Sequence, residues 1–312
     1  MPEAQAPIRN FEQLLQAARD VARHHGPRTI AIAAAAQREI VLAAVQAWQE
    51  GLASSILVGN QRLIAEIAAD EGVELAGLRV VDEPDSLAAA ARAALMVGRG
   101  EADFLMKGGI ETAHLMRAGL SQEAGLRTGR LLSHVAVFQM PGYHRLILLS
   151  DAGVVVAPTL PQKVEIIRNA VAVAHDLGLA QPKVALLAAT EAVHLKIKAT
   201  VEAAILSKMA DRQQITGCVV DGPLAVDTAM SAEAARLKGL VSPVAGRADI
   251  LVVPDIEAGN VLAKTMEYFA GGIMAGVVIG ARSPFVVVSR SDPEVSKLVS
   301  MALAVLMTAP RQ

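Results

Sequence analysis

The sequence predicts an α/β protein of two domains, built on mostly parallel sheets with helices on both faces. Three observations lead there. Short apolar runs at residues 29–34, 54–58, 78–81 and 102–106 alternate with helical patterns at 40–48, 62–69 and 86–97, the spacing of βαβ units. The hydrophobic content is 53% but only 3% of residues are aromatic, so the core is Ala, Val, Leu and Ile, the residues of parallel strands covered by helices. A length of 312 residues favours two domains.

The alternation changes at residue 131. Apolar runs at 132–138 and 145–149 are joined by Met140-Pro141-Gly142-Tyr143, with 154–156 read as a further strand close behind. Gaps this short hold no crossover helix, so an antiparallel pair is expected. A domain boundary is placed nearby, giving domain I as 1–137 plus 283–312 and domain II as 138–282. Next, Thr159-Leu160-Pro161-Gln162 supplies an N-cap hydroxyl with Gln at the capping-box position. Val164, Ile167, Val171, Ala174 and Leu177 then form one apolar stripe that Gly178 closes. Strands at 183–189, 219–220, 250–253, 277–279 and 285–288 alternate with helices at 199–210, 231–237 and 261–269, and a last helix begins near Pro293.

In an open parallel sheet, ligands bind outside the carboxyl ends of the strands. Those ends carry Asp221-Gly222-Pro223, the 254–260 segment and Ser289-Arg290, so 219–297 is expected to form one wall of a site with Arg290 as its charge. Taken alone, Arg290 is either that charge or a surface arginine ending a strand. Asp292-Pro293-Glu294 has the form of an N-cap, a proline at the first helical position and an acid in the first turn.

Several chemistries are excluded. A net charge of −2 provides no global field for nucleic acid or an anionic membrane. Gly98-Arg99-Gly100 lacks the third glycine of a dinucleotide fingerprint, and Lys264-Thr265 lacks the glycines of a P-loop. The histidines show no metal-ligand spacing and there is no nucleophile elbow, so no metal is expected. Cys218 is the sole cysteine and reads as a buried small hydrophobe in a reducing compartment. Met1-Pro2-Glu3-Ala4 shows no signal-peptide pattern, and the apolar run at 269–281 is too short to span a bilayer. A soluble, cytoplasmic protein is expected.

The motifs already quoted, with Val244-Ala245-Gly246-Arg247-Ala248-Asp249, resemble the phosphate acetyltransferase and phosphate butyryltransferase family. Met106-Lys107-Gly108-Gly109, Thr112-Ala113-His114-Leu115-Met116-Arg117, Gly125-Leu126-Arg127-Thr128-Gly129 and Leu132-Ser133-His134-Val135-Ala136-Val137-Phe138 resemble the butyryl branch in particular. The resemblance implies reversible acyl transfer between coenzyme A and inorganic phosphate, within short-chain fatty acid metabolism. It implies an isocitrate/isopropylmalate dehydrogenase-like fold with the active site in the interdomain cleft. It further implies a homodimer or larger homo-oligomer, coenzyme A as substrate and no cofactor. Butyryl is the expected acyl group. Acetyl is the alternative, and a CoA-binding or regulatory relative without turnover is an alternative of another class.

The resemblance also assigns roles. Arg290 becomes the catalytic arginine, and Ser289 orients or polarises the CoA thiol. Arg117, in a Thr-x-x-x-x-Arg pattern, is assigned to the phosphate side, although Ala118 stands where the acetyl branch usually has proline. Arg127 is either a second anion contact or a solvated loop charge, and Lys107 has the same balance. Ser133 joins them as a substrate-side residue, while a structural role is at least as expected for His134. Asp255, Glu257, Gly259 and Asn260 are taken together as a loop that binds CoA. The aspartate proposed as thiol base in the acetyl branch falls on Ser296, or on Lys297 with a one-residue gap; Asp292 is the nearest acid, read as the helix cap or else as that base.

Overall fold

The computed structural model describes residues 6–309. The expectation drawn from Met1-Pro2-Glu3-Ala4 lies outside the described residues. The chain begins with α1 (Phe11–His25), β1 (Arg28–Ala33), α2 (Arg38–Gln49), β2 (Ala53–Gly59), α3 (Gln61–Asp70), β3 (Arg79–Asp82), α4 (Ser86–Gly98), β4 (Phe104–Lys107) and α5 (Thr112–Gly119). It continues through β5 (Ser133–Gln139), β6 (Ile147–Ser150), α6 (Leu160–Asp176), β7 (Lys183–Leu187), α7 (Lys198–Asp211) and β8 (Val219–Leu224). Then come α8 (Val226–Met230), α9 (Ala232–Leu237), β9 (Ile250–Val252), α10 (Ile256–Tyr268), β10 (Ile273–Ile279), β11 (Phe285–Val286) and α11 (Glu294–Met307).

The chain forms two compact units. One comprises Phe11–Arg130 and the chain from Met274 on; the other comprises Leu131–Ile273 with the described residues before Phe11. The expected bounds 1–137, 138–282 and 283–312 put β5 and β10 on the other side of this division. The reason is pairing: β5 is antiparallel to β6 (Val137 beside Leu148), and β10 is antiparallel to β11 (Val278 beside Phe285).

In the unit that begins at Phe11, the strand order is β3-β2-β1-β4-β11-β10. Every neighbour from β3 to β11 is parallel. Strand β4 is buried along its whole length, with Phe104 among the largest enclosed side chains. Helices α4 and α5 pack together beside β1 and β4, while α11 packs with α1, α2 and β11. Helix α11 is buried without a break from Ser296 to Val305, so it is enclosed around its whole circumference rather than along one stripe. The other unit has the order β5-β6-β9-β7-β8, parallel from β6 onward.

Most expected elements form. Thr159 and Gln162 make the reciprocal capping box of α6. Three readings are corrected. Residues 154–156 are not a strand, because the Asp151 carboxylate accepts the N–H groups of Gly153, Val154 and Val155 and wraps the chain around itself. Asp221-Gly222-Pro223 is not a strand end, since β8 continues through it to Leu224 and Asp221 pairs in register with Ala185. The 255–260 segment is not a loop: Asp255 caps α10 by accepting from the Ala258 N–H at 2.9 Å, and Ile256 to Asn260 are helical.

Cys218 lies just before β8 and is half-buried. Burial raises its thiol from 9.0 to about 11, which leaves almost no thiolate at neutral pH. Cys218 is therefore expected to react with a disulfide reagent at pH 7.5 far more slowly than free cysteine, and to reach full rate only after denaturation. A fast native reaction would contradict this burial.

Candidate active site

The site is built from the carboxyl end of β4 and the chain that follows β11. These strands are adjacent and parallel, with Met106 opposite Val286, so Lys107 and the Ser289-Arg290 turn emerge at the same edge of the sheet. That is the edge where α/β proteins hold their ligands. Lys107 is followed by two glycines. A Cβ on Gly108 would meet the Ala33 and Ala34 carbonyl oxygens at 2.5 Å each, and the Gly108 and Gly109 N–H groups bond those same carbonyls. Glycine is thus required for the loop to lie directly on the end of β1. Gly108→Ala is expected to cost about 1–3 kcal/mol of stability by overpacking, measurable by urea unfolding; an unchanged midpoint would contradict this backbone approach.

Lys107 is only 5% exposed and its ammonium donates to the Ile110 carbonyl at 3.3 Å. Its pKa lies below the usual lysine value, first through burial and then through the Arg290 guanidinium; Asp292 opposes the shift and Lys297 adds to it. Arg290 is exposed and Ser289 half-buried, with its hydroxyl 3.0 Å from the Ser291 hydroxyl. Asp292 is buried, and its carboxylate accepts the Ser289 N–H at 2.7 Å.

Asp292 therefore does not cap the helix. The N-cap position of α11 is Pro293, with no side-chain cap bond, and the carboxylate turns back to Ser289. Its carbonyl oxygen accepts from the ammonium of Lys297, in the first turn of α11. Lys297 is 2% exposed. Burial lowers its pKa, against the pull of Asp292, Glu39 and Glu294. For both lysines the charged form costs folding free energy, a cost present below the folded-state pKa and relieved as pH rises toward 10.5. Two buried, desolvated lysines thus lie near Asp292, with Arg290 acting on one of them, and perturbed groups gathered in one place mark functional sites.

Arg117 is exposed in the last turn of α5, which rests Gly119 against Phe285 and Leu105. Arg127 is exposed in a loop tied to the turn before β11: the Arg282 N–H donates to the Leu126 carbonyl and the Thr128 hydroxyl to the Gly280 carbonyl. Ser289 and Arg290 follow β11, so the strand separates Arg127 from them. Ser133 is fully buried and takes the Asn169 amide at 2.8 Å. The neighbouring His134 is buried, and its N–H donates to Asp151.

In the unit containing α10, a cavity of about 610 Å³ opens at the carboxyl ends of β7 and β9, a size that suits a small-molecule ligand. Its lining includes Asp255 and Lys163, and Lys163 pairs with Glu202 at 2.7 Å with side chains 6% and 12% exposed. Of the expected CoA segment, Asp255 reaches this cavity but spends an oxygen on its cap. Glu257 and Asn260 are exposed on α10. Gly259 is a packing residue, since a Cβ there would lie 2.7 Å from the Asp151 carbonyl. Among the described residues no group of three or more His, Cys, Asp and Glu could hold a metal ion, and no helix is long and apolar enough to cross a membrane.

The turn-closing role of Asp292 and the enclosure of Lys297 are not among the sequence expectations. A single lysine among Val295, Ser296, Leu298 and Val299, in a helix whose one other charge is Glu294, is the available signal.

The fold defines the class first. The chain superposes on a 4-hydroxythreonine-4-phosphate dehydrogenase from Klebsiella pneumoniae with a TM-score of 0.54 at 12% identity, covering 90% of this chain and 99% of that one; this shows the fold alone. The match to the crystal structure of a branched-chain phosphotransacylase from Enterococcus faecalis V583 is far closer, with a TM-score of 0.80 and 33% identity over 91% of this chain and 100% of that one. In sequence, a phosphate butyryltransferase from Clostridium beijerinckii is 42% identical over 96% of this chain and 98% of its own. A phosphate acetyltransferase from Rhizobium meliloti is also 42% identical, over 97% and 94%. The profile described as phosphate acetyl/butaryl transferase matches residues 86–305. The chain belongs to this family of acyltransferases.

Proposed function

We propose that the protein transfers a short acyl group, butyryl foremost, between coenzyme A and inorganic phosphate. The observation that carries this reading is the pairing of buried Lys107 with the Arg290 guanidinium at one strand edge, where β4 and β11 end. Lys107 and Arg290 bring two positive charges to that edge, suited to a phosphate dianion. Guanidinium and ammonium groups suit such an anion and the oxyanion that forms on the acyl carbon. In the forward reaction a phosphate oxygen attacks the thioester carbonyl carbon and the C–S bond breaks. The sulfur leaves as thiolate and takes up a proton.

Arg290 acts on the phosphate and the developing oxyanion, and Ser289 orients the sulfur. Arg117 is retained as a further phosphate-side contact. Ser133, Arg127 and the 257–260 residues are given no substrate contact in this reading. Coenzyme A enters as substrate, and the reading invokes no prosthetic group. Relatives named for both butyryl and acetyl transfer support either acyl chain, and one methylene is worth only about 1–3 kcal/mol in an apolar pocket. A cytoplasmic homo-oligomer accords with the same reading.

The test follows free thiol after mixing the protein with butyryl-CoA or acetyl-CoA, with and without phosphate. Phosphate-dependent release, faster with butyryl-CoA, is expected. Faster release with acetyl-CoA would move the acyl assignment to acetyl. Tight CoA binding without release from either would favour a non-catalytic CoA-binding relative.

A further inference from the structure

Helix α11 starts in a way that stability alone does not account for. A helix N-terminus carries partial positive charge and favours anions. Its first turn, half-open to solvent at Glu294 and Val295, nevertheless contains the Lys297 ammonium, 2% exposed. Removing such an ion from water costs several kcal/mol even after relaxation. Lys297 spends its charge on a main-chain oxygen, the Asp292 carbonyl.

That bond completes a closed brace. The Ser289 N–H donates to the Asp292 carboxylate at 2.7 Å, and the Asp292 N–H donates back to the Ser289 carbonyl at 3.3 Å. The four-residue turn that presents Ser289 and Arg290 is thereby locked internally, and Lys297 anchors it to the most enclosed helix of its unit. The N-terminal end of α11 is itself held from α2, where Arg38 bridges Glu294 at 3.2 Å and Glu71 at 2.5 Å. Without the lysine, the turn keeps its internal bonds and its chain connection through Pro293 but loses the side-chain tie that fixes its angle to the first turn of α11.

We propose that Lys297 is a positioning residue for acyl transfer, fixing the Ser289-Arg290 turn to helix α11 through the Asp292 carbonyl. This rests on the acyl-transfer reading above. Lys297 is enclosed and makes its bond to the protein, so it acts through Arg290 and Ser289 rather than on the substrate. Displacement of such a turn by about 1 Å lowers turnover on the order of 10²-fold. The substrate-contacting groups remain present, so apparent affinity changes far less than turnover.

Lys297→Met distinguishes this from a structural role. Methionine matches the stem of lysine and removes the buried charge, an exchange that is often neutral or stabilising. The expected result is a melting temperature equal to or above that of the wild type, with kcat lowered roughly 10- to 100-fold and KM for acyl-CoA within about 3-fold of the wild type. Asp292→Asn is the companion variant: it retains the main-chain carbonyl that Lys297 holds and an oxygen for the Ser289 N–H, so it is expected to keep more turnover than Lys297→Met. Wild-type kcat in a folded Lys297→Met protein would overturn the inference alone. So would lowered stability with unchanged kcat, or a loss confined to KM. Absence of thiol release by the wild-type protein from both acyl-CoAs would overturn the acyl-transfer reading, and the inference with it.

Discussion

Arg290→Ala is expected to slow phosphate-dependent thiol release by at least about 10²-fold, on the scale of a lost oxyanion donor, while leaving the melting temperature unchanged. The two halves follow from different observations. Arg290 is exposed, in a turn beyond β11, so truncating it opens no cavity in the core. It is also the charged neighbour that most perturbs buried Lys107, which puts its guanidinium at the strand edge where the cations collect. Arg290→Lys is a useful control. A lysine restores the charge but not the planar fork that grips two oxygens at once, so it is expected to recover only part of the lost rate. Near-normal turnover in Arg290→Ala would remove this residue from the chemistry.

Glu202→Gln is expected to cost about 3–5 kcal/mol of stability, the usual result of leaving one buried charge without its partner. Glu202 holds Lys163 at 2.7 Å, and their side chains are 12% and 6% exposed. Lys198 also reaches Glu202 at 3.3 Å, but that lysine is 79% exposed and adds little. The amide of glutamine is neutral and leaves the Lys163 ammonium uncompensated beside an apolar cavity. The double variant Lys163→Met/Glu202→Leu should recover most of the loss, because removing both charges together avoids the unpaired ion. Urea unfolding measures both variants. A change below about 1 kcal/mol in the single variant would mean that water compensates the lysine.

The architecture was largely legible in the sequence, because its signals are local. The hydroxyl and amide of Thr159 and Gln162 point to a helix start within four residues, and both reciprocal bonds form. The short link between 132–138 and 145–149 permits only an antiparallel pair, which is what β5 and β6 make. The misreadings share one cause: the same short polar residue serves two geometries, and distant atoms decide between them. Asp255 has the sequence context of a loop residue and is a cap, whereas Asp292 has that of a cap and is a turn acceptor. Val154 and Val155 have strand propensity, but the buried Asp151 carboxylate takes their N–H groups.

The site was legible only in part for a related reason. Ser289-Arg290 follows an apolar run and can be found from the pattern alone. Lys107 was identified beside its two glycines, but its burial and its coupling to Arg290 depend on the pairing of β4 with β11, residues far apart in the chain. Lys297 resembles an ordinary helix lysine until all sides of α11 are seen to be buried.

The most direct test of the acyl-transfer account is the stoichiometry of its products. Phosphorus NMR of the protein with butyryl-CoA and inorganic phosphate follows the acyl phosphate resonance while free thiol is counted in the same sample. The account predicts one acyl phosphate formed and one phosphate consumed for each thiol released, with no release when phosphate is left out. Thiol release that continues without phosphate and yields only free carboxylic acid would contradict it, since water rather than phosphate would then be the acceptor.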